Sequence, residues 1–229
     1  MVSGTGFSRY AVYYTPTGSL AAFGASWLGW DAAQGRAVPQ PVIAGVDLAA
    51  VTATPRRYGF HATMKAPFRL AEGKRASALE AALEAFCAAQ APVVLQGGLR
   101  HARLGTFQAL IPAAESAALR ALEARLVPAL DPFRAALTEA EITHRDPSRL
   151  TPRQRAQLAR WGYPYVMEEF RFHMTLTGAL DPATADRVAA ALTLRLPPLT
   201  ADLPIDALGL VGEDANGRIH LIRRVPLTG

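Results

Sequence analysis

The chain contains 229 residues, of which 50% are apolar and 19% are charged, and its formal net charge is +5 at neutral pH. This composition excludes a disordered chain and supplies a core for one large domain, while the modest basic excess favours anionic ligands without requiring one. The only cysteine, Cys87, excludes an intrachain disulfide and a cysteine-based zinc site.

The first predicted elements occupy an uncharged stretch from Tyr10 to Trp30. Its length would suit a membrane span, but Pro16, several glycines and a period-two beginning favour a strand followed by a helix. No basic segment precedes a compact apolar run, so a signal peptide is not expected either. We therefore expect a cytoplasmic protein that makes no membrane contact.

Strands and helices then follow one another along the chain, marked by alternating or helical apolar spacing and by proline and glycine at their ends. In order, the predicted elements are a strand at 9–16, a helix at 19–30, a short segment near 48, a strand at 60–70, a helix at 74–91, strands at 93–95 and within 99–112, helices at 115–130 and 151–161, a strand at 170–178, a helix at 182–192, and strands at 205–211 and 218–225. The sequence EDANG predicts a hairpin turn between the last two strands.

This order predicts an α+β fold with antiparallel sheets, because hairpins stand between the helices. No Gly-rich phosphate loop follows a strand, which excludes the P-loop and the dinucleotide-binding fingerprint.

Two predicted strands carry the same motif. FHATM places His61 and Thr63 two residues apart, and FHMTL repeats the pattern at His173 and Thr175, 173 − 61 = 112 residues later. Because side chains alternate across a strand, each histidine shares a face with its threonine while the apolar neighbours take the opposite face.

Paired histidines suit acid/base chemistry on a phosphodiester. A neutral imidazole can take a proton from the attacking hydroxyl or water, and a protonated one can give a proton to the leaving oxygen. Each threonine hydroxyl can donate to a phosphoryl oxygen. The sequence does not say which histidine is the base. Two histidines without a nearby carboxylate make an incomplete metal site, so neither a metal nor another cofactor is expected.

Other residues near the motifs are candidates for substrate binding. Lys65 and Arg171 share the predicted parity of the histidines, so they either add positive charge to a phosphate site or lie on the surface. Tyr58 and Tyr165 either contact a base or phosphate or pack beside the strands.

The two motifs resemble the two-histidine phosphoesterase superfamily, whose mark is a pair of apolar-His-x-Thr/Ser-apolar strands. The segments RYAVYY, WLGWD, RRYGFHATMKAPFRL, LDPFRAALTEAE and WGYPYVMEEFRFHMTLTG are similar to a bacterial branch associated with phosphonate-utilisation gene clusters. This resemblance implies a single bilobed domain over 1–229 with pseudo-twofold symmetry, in which two antiparallel sheets flanked by helices enclose a cleft. Each lobe then carries one motif, at 61–63 and 173–175.

Applied to the matching positions of this sequence, the resemblance implies that His61 and His173 are catalytic and that Thr63 and Thr175 hold the phosphate. The expected function is a metal-independent phosphodiesterase acting on a small cyclic phosphate, for example a ribose cyclic phosphate from phosphonate metabolism, or on an RNA end. The expected partner is this small phosphorylated substrate, a nucleotide or an RNA end, with no obligate protein partner. The alternative is a nucleotide- or RNA-binding module that retains the cleft without turnover.

Overall fold

The computed structural model describes residues 6–229, so residues 1–5 of the expected 1–229 domain lie outside the described part of the chain. The strands are β1 (Arg9–Tyr14), β2 (Trp30–Asp31), β3 (Arg36–Ala37), β4 (Ala62–Phe68), β5 (Val93–Leu95), β6 (Leu99–Leu104), β7 (Phe107–Pro112), β8 (Met174–Thr175), β9 (Leu203–Ile205), β10 (Ala207–Glu213) and β11 (Ile219–Pro226).

The helices are α1 (Gly18–Leu28), α2 (Leu48–Val51), α3 (Ala53–Arg56), α4 (Ala76–Ala88), α5 (Ala117–Leu130), α6 (Glu139–His144), α7 (Pro152–Trp161) and α8 (Pro182–Thr193). Short 3-10 turns lie at Asp131–Phe133, Pro147–Arg149 and Met167–Glu169. Among the helices of residues 6–229, none combines the length and the apolar character that crossing a membrane requires.

Seven strands form one antiparallel sheet in the order β11-β10-β1-β4-β8-β7-β6. Its two parts, β11-β10-β1-β4 and β8-β7-β6, are joined through the single pair Ala62↔Met174. The predicted α+β class with antiparallel strands and flanking helices is confirmed. The two expected sheets are continuous with each other, because the two motif strands are hydrogen-bonded neighbours.

The main hydrophobic core lies between this sheet and its helices. Helix α4 packs on α5 and on β10 and β11, α5 packs on β4, and α8 packs on β7. Leu79, Leu83 and Cys87 recur every fourth residue along α4 and are fully buried, as the helical pattern predicts. Burial raises the pKa of the Cys87 thiol to about 12, so this cysteine is a core residue and not a nucleophile.

The two faces of the sheet are visible in β1. Tyr10, Val12 and Tyr14 belong to the main core, whereas Ala11 and Tyr13 belong to a smaller apolar cluster on the other face. Thr63 pairs with Tyr13 across the β1–β4 ladder. The polar pair of the first motif therefore lies on the face of the smaller cluster.

The second motif strand is shorter than the sequence predicts, with two residues in β8 instead of the segment 170–178. Beyond Thr175 the amide of Leu176 still donates to the carbonyl of Gln108 in β7 at 2.9 Å, but the backbone groups that follow bond to helices. The carbonyl of Leu176 accepts a hydrogen bond from the Trp27 indole at 2.9 Å, and the amide of Gly178 donates to the carbonyl of Val51 at 2.8 Å. These bonds end the ladder, because the groups are no longer available to a neighbouring strand.

Candidate active site

Both motifs contribute to the lining of one pocket of about 380 Å³, which we call the histidine pocket. His61, Thr63, His173 and Thr175 lie in its wall. The structure therefore brings together the four residues that the sequence singles out as catalytic and phosphate-binding.

The register between β4 and β8 arranges these four residues crosswise. The strands are antiparallel with Ala62 opposite Met174. One residue further along each strand, this register sets His61 across from Thr175 and Thr63 across from His173. Directly opposed side chains have Cβ atoms about 4.5–5.5 Å apart, so each histidine neighbours the threonine of the other motif.

The two histidines are held in the same way. Nδ1 of His61 lies 3.0 Å from the carbonyl of Gly59, and Nδ1 of His173 lies 2.8 Å from the carbonyl of Arg171. In both cases the acceptor is the carbonyl two residues earlier, so Nδ1 carries the proton and Nε2 is left for chemistry. Nε2 of His61 lies 3.1 Å from the Thr63 hydroxyl, which donates to it when the ring is neutral.

His61 is held in its neutral form by its surroundings. Tyr13 stacks on the imidazole with ring centroids 3.5 Å apart, and Tyr58 contacts it edge-on at 5.5 Å. Burial lowers the pKa of His61 to about 3, the Gly59 carbonyl partly opposes this shift, and the nearby His173 adds to it. The ring of His173, in contrast, is partly exposed.

Two glycines position the first motif. Gly24 of α1 lies so close to Phe60 that a Cβ atom there would be 1.9 Å from the phenyl ring. Gly59 adopts a left-handed conformation with φ of +70°, which turns its carbonyl towards the His61 ring. These glycines fix the approach of the chain to His61.

Lys65 lies neither at the histidine pocket nor on the surface, so both alternatives considered for it are wrong. Its ammonium is buried in the core, where it donates to the carbonyl of Val127 at 3.0 Å and to Asp131 at 3.3 Å. The cause is an irregularity in the β1–β4 register, in which Thr63 pairs with Tyr13 but Lys65 pairs with Val12. Such a bulge reverses the side-chain alternation, so Lys65 points towards α5.

The three other candidate binding residues divide between two pockets. Tyr58 lines the histidine pocket, where burial raises its pKa and a hydrogen bond with Thr175 opposes the shift. Arg171 and Tyr165 line a second pocket of about 530 Å³. The second pocket shares Thr63, Tyr163 and His173 with the histidine pocket, so the two cavities adjoin.

Several residues outside the two motifs also line the histidine pocket. The Arg9 guanidinium is paired with Glu213 through hydrogen bonds of 2.7 and 2.8 Å. Arg57 is exposed, and its guanidinium makes no hydrogen bond or ion pair with any residue of 6–229. In the sequence, the one indication that Arg57 lies near the site is its position four residues before His61. Arg9 and Tyr13 gave no signal beyond their strand.

A metal-binding cluster is not formed by the described residues. Within 6–229, no three His, Cys, Asp or Glu side chains are grouped so that they could hold a metal ion.

Residues 63–220 match the family model described as "Protein of unknown function (DUF1045)". The chain belongs to the DUF1045 family. The matched range includes Thr63 and the whole second motif, and it begins just after His61.

Two curated relatives of this DUF1045 chain are named "Ribose 1,5-bisphosphate phosphokinase PhnN". The protein from Janthinobacterium sp. (strain Marseille) is 42% identical over 239 residues, which cover 100% of this chain and 52% of the relative. The protein from Laribacter hongkongensis (strain HLHK9) is 38% identical over 234 residues, which cover 95% and 51%. The chain thus spans about half the length of the curated relatives it matches.

Two solved structures are similar over most of their length. One is described as "Crystal structure of phosphoesterase", with 15% identity, a TM-score of 0.44, and coverage of 97% of this chain and 99% of the other. The second is described as "Crystal structure of E.coli LigT complexed with NADP+", with 15% identity, a TM-score of 0.44, and coverage of 98% and 100%.

Proposed function

We propose that this chain is a phosphodiesterase of the two-histidine type, which acts without a metal ion on a small cyclic phosphate or an RNA-end phosphodiester. The observation that carries the proposal is the crosswise placement of two His-x-Thr pairs in one pocket. In this proposal the two parts of the sheet are the lobes of one bilobed unit, each supplying one histidine and one threonine.

His61 is the better general base of the two histidines. It is buried and neutral, and its Nε2 is an acceptor that already takes a hydrogen bond from Thr63. An anionic phosphodiester bound beside it would favour the charged ring, so the pKa of His61 rises when the substrate binds. The base therefore becomes stronger when it is needed.

His173 is then the general acid. As water attacks phosphorus, its proton passes to Nε2 of His61 and a new phosphorus–oxygen bond forms. The bond to the leaving oxygen breaks, and that oxygen takes the proton from Nε2 of His173. The products are a phosphomonoester and an alcohol, which remain one molecule when the substrate is cyclic.

The threonines and Arg57 bind the phosphoryl group in this proposal. When the substrate binds, the Thr63 hydroxyl exchanges its hydrogen bond to Nε2 of His61 for one to a non-bridging oxygen, and the Thr175 hydroxyl donates to another. The Arg57 guanidinium, unpaired among residues 6–229, offsets the negative charge of these oxygens. Arg9 is already neutralised by Glu213, so its part is to shape the wall.

The names of the curated relatives support a ribose phosphate as the substrate class. Those names concern whole proteins about twice as long as this chain. This chain contains no G-x-x-x-x-G-K-S/T loop, so we assign the phosphokinase activity in those names to the other half. A diesterase joined to such a kinase would act on a related sugar phosphate, such as a ribose cyclic phosphate from phosphonate metabolism.

The test is turnover in the presence of EDTA. Purified protein is incubated with ribose cyclic phosphates, ribonucleoside 2′,3′-cyclic phosphates and a 2′,5′-linked dinucleotide, and products are followed by phosphorus NMR. We expect metal-independent ring opening of at least one cyclic phosphate by the wild type and by His144→Asn, which changes an exposed histidine outside the pocket. Salt-sensitive binding of oligonucleotides without turnover would contradict the proposal and favour a binding module.

A further inference from the structure

The second pocket continues the histidine pocket on the side of His173. Thr63, Tyr163 and His173 line both cavities. A phosphodiester whose phosphorus lies beside Nε2 of His173 would therefore extend one of its organic groups into the second pocket. The volume of about 530 Å³ is within the range of small-molecule sites.

The wall of the second pocket combines aromatic rings with balanced charges. Its aromatic and charged residues are Phe107, Tyr163, Tyr165, Phe170, Arg103, Arg171, Glu123 and Glu169. Two guanidinium groups and two carboxyl groups line this wall beside the shared His173, so the pocket lacks the dense positive charge that would favour a second phosphate. Aromatic faces beside both donors and acceptors suit a neutral, hydroxylated group with apolar C–H surfaces.

Glu123 provides the most specific feature of this wall. It lies on α5 and is fully buried, and its Oε2 accepts a hydrogen bond from the amide of Met167 at 3.1 Å. Its Oε1 is buried and has no partner among residues 6–229. The ammonium of Lys65, a cation that acts on this carboxyl, is already bonded to Val127 and Asp131.

An unpartnered carboxylate oxygen in a buried wall is costly unless a ligand supplies a donor. Burial accordingly raises the pKa of Glu123 to about 7. A hydroxyl group entering the pocket can donate to Oε1 or, when the carboxyl is protonated, accept from it.

We propose that the second pocket holds the sugar of the substrate and that Glu123 hydrogen-bonds one of its hydroxyls. The assignment rests on the proposed function only in placing the phosphate at the two histidines. Glu123 is then a specificity-determining residue for the sugar, whereas the histidine pocket recognises the phosphate.

Equilibrium binding separates the sugar from the phosphate. D-ribose 5-phosphate and inorganic phosphate are each titrated into the full chain by calorimetry at about pH 8.5, where the Glu123 carboxyl, with its pKa of about 7, is ionised, and the readout is the ratio of their affinities. Glu123→Gln keeps an acceptor for the Met167 amide but replaces the unpaired oxygen with an NH2 group. Glu139→Gln removes the same charge from an exposed residue of α6 outside the pocket wall and is the matched control.

A second variant tests the same pocket if Glu123→Gln does not fold. Tyr165→Ala truncates a side chain that is 47% exposed and lines the second pocket, so it should not disturb the core. Both Glu123→Gln and Tyr165→Ala should lower the ribose 5-phosphate to phosphate ratio. Loss of one hydrogen bond to a carboxylate predicts a decrease of about tenfold for Glu123→Gln. Glu139→Gln should leave the ratio unchanged.

The inference is overturned if the wild-type ratio is close to one or if neither Glu123→Gln nor Tyr165→Ala lowers it. Binding of adenosine 5′-phosphate that is tighter than that of ribose 5-phosphate and insensitive to Glu123→Gln would also overturn it, because a base would then occupy the pocket. These measurements need no turnover. The expected binding pattern without diester hydrolysis would refute the proposed function alone. Hydrolysis together with an affinity ratio that neither substitution changes would refute this inference alone.

Discussion

Replacing His61 with asparagine should change how folding stability depends on pH. The amide of asparagine can still donate to the carbonyl of Gly59, but it has no proton to bind in this pH range. In the folded protein the pKa of His61 is lowered from 6.5 to about 3 by burial. In the unfolded chain the ring titrates at its ordinary value, so the unfolded state binds the additional proton as the pH falls.

The magnitude follows from this difference. The stability associated with His61 is fully present above pH 6.5 and is lost as the pH falls towards 3. Between about pH 7.5 and about pH 5, the unfolded ring takes up almost one proton while the folded ring takes up almost none, and the loss amounts to about 2 kcal/mol.

Glu123 contributes with the opposite sign. Its pKa is raised from 4.5 to about 7, so its neutral form stabilises the fold below pH 4.5 and this contribution is lost as the pH rises through 7. The wild type alone can therefore show little net change between about pH 7.5 and about pH 5. Only the difference between the wild type and His61→Asn isolates the imidazole.

The assay is urea unfolding followed by tryptophan fluorescence at both pH values and constant ionic strength. On going from the higher to the lower pH, the free energy of unfolding of the wild type should fall by about 2 kcal/mol relative to that of His61→Asn. Of the groups facing His61, Tyr13 and Tyr58 do not titrate in this range, and a repeat in a His173→Asn background removes the second imidazole. A difference that stays constant with pH would refute the neutral, buried base.

Three further predictions concern residues around the pocket. Gly24→Ala should destabilise the protein by about 1–3 kcal/mol and lower turnover, because the added Cβ overlaps the Phe60 ring and displaces the first motif; thermal unfolding and kinetics check this. Lys65→Met should leave KM within about twofold of the wild type, because the Lys65 ammonium bonds Asp131 in the core. A KM increase of about tenfold or more would indicate that Lys65 contacts the substrate. In the pH profile of kcat/KM, the acidic limb should lie well below pH 6.5, because His61 of the free protein stays neutral down to about pH 3. An acidic limb near pH 6.5 would show that His61 is not the base.

The sequence predicted those elements whose apolar spacing is regular. Helices α4, α5, α7 and α8 and the hairpins β6–β7 and β10–β11 lie close to their expected ranges. Helix α6 was missed although Thr138 and Glu141 form a capping box at its start, because α6 is short and none of its residues is buried. The pairs β2–β3 and β5–β9 are too short for alternation to reveal the strand partners.

The placement of the motif residues was predictable, because side chains two residues apart in a regular strand lie on the same face. His61 and Thr63 share a face, as their spacing requires, and both line the histidine pocket. Parity failed at Lys65, since a bulge in β4 is a property of its pairing with β1 and leaves no mark in the sequence. Tyr13 and Glu123 reach the two pockets from other elements, so only the fold reveals them, whereas Arg57 lies four residues before His61 in the sequence.

The most direct test of the paired acid/base mechanism is the rate of cyclic phosphate hydrolysis by His61→Asn, His173→Asn and the double variant, with folding checked by thermal unfolding. The account predicts that each single substitution lowers turnover by about 10²–10⁴ and that the double variant is little slower than either, because the two imidazoles act as a unit. A folded single variant that retains near-normal turnover on the substrate would contradict it.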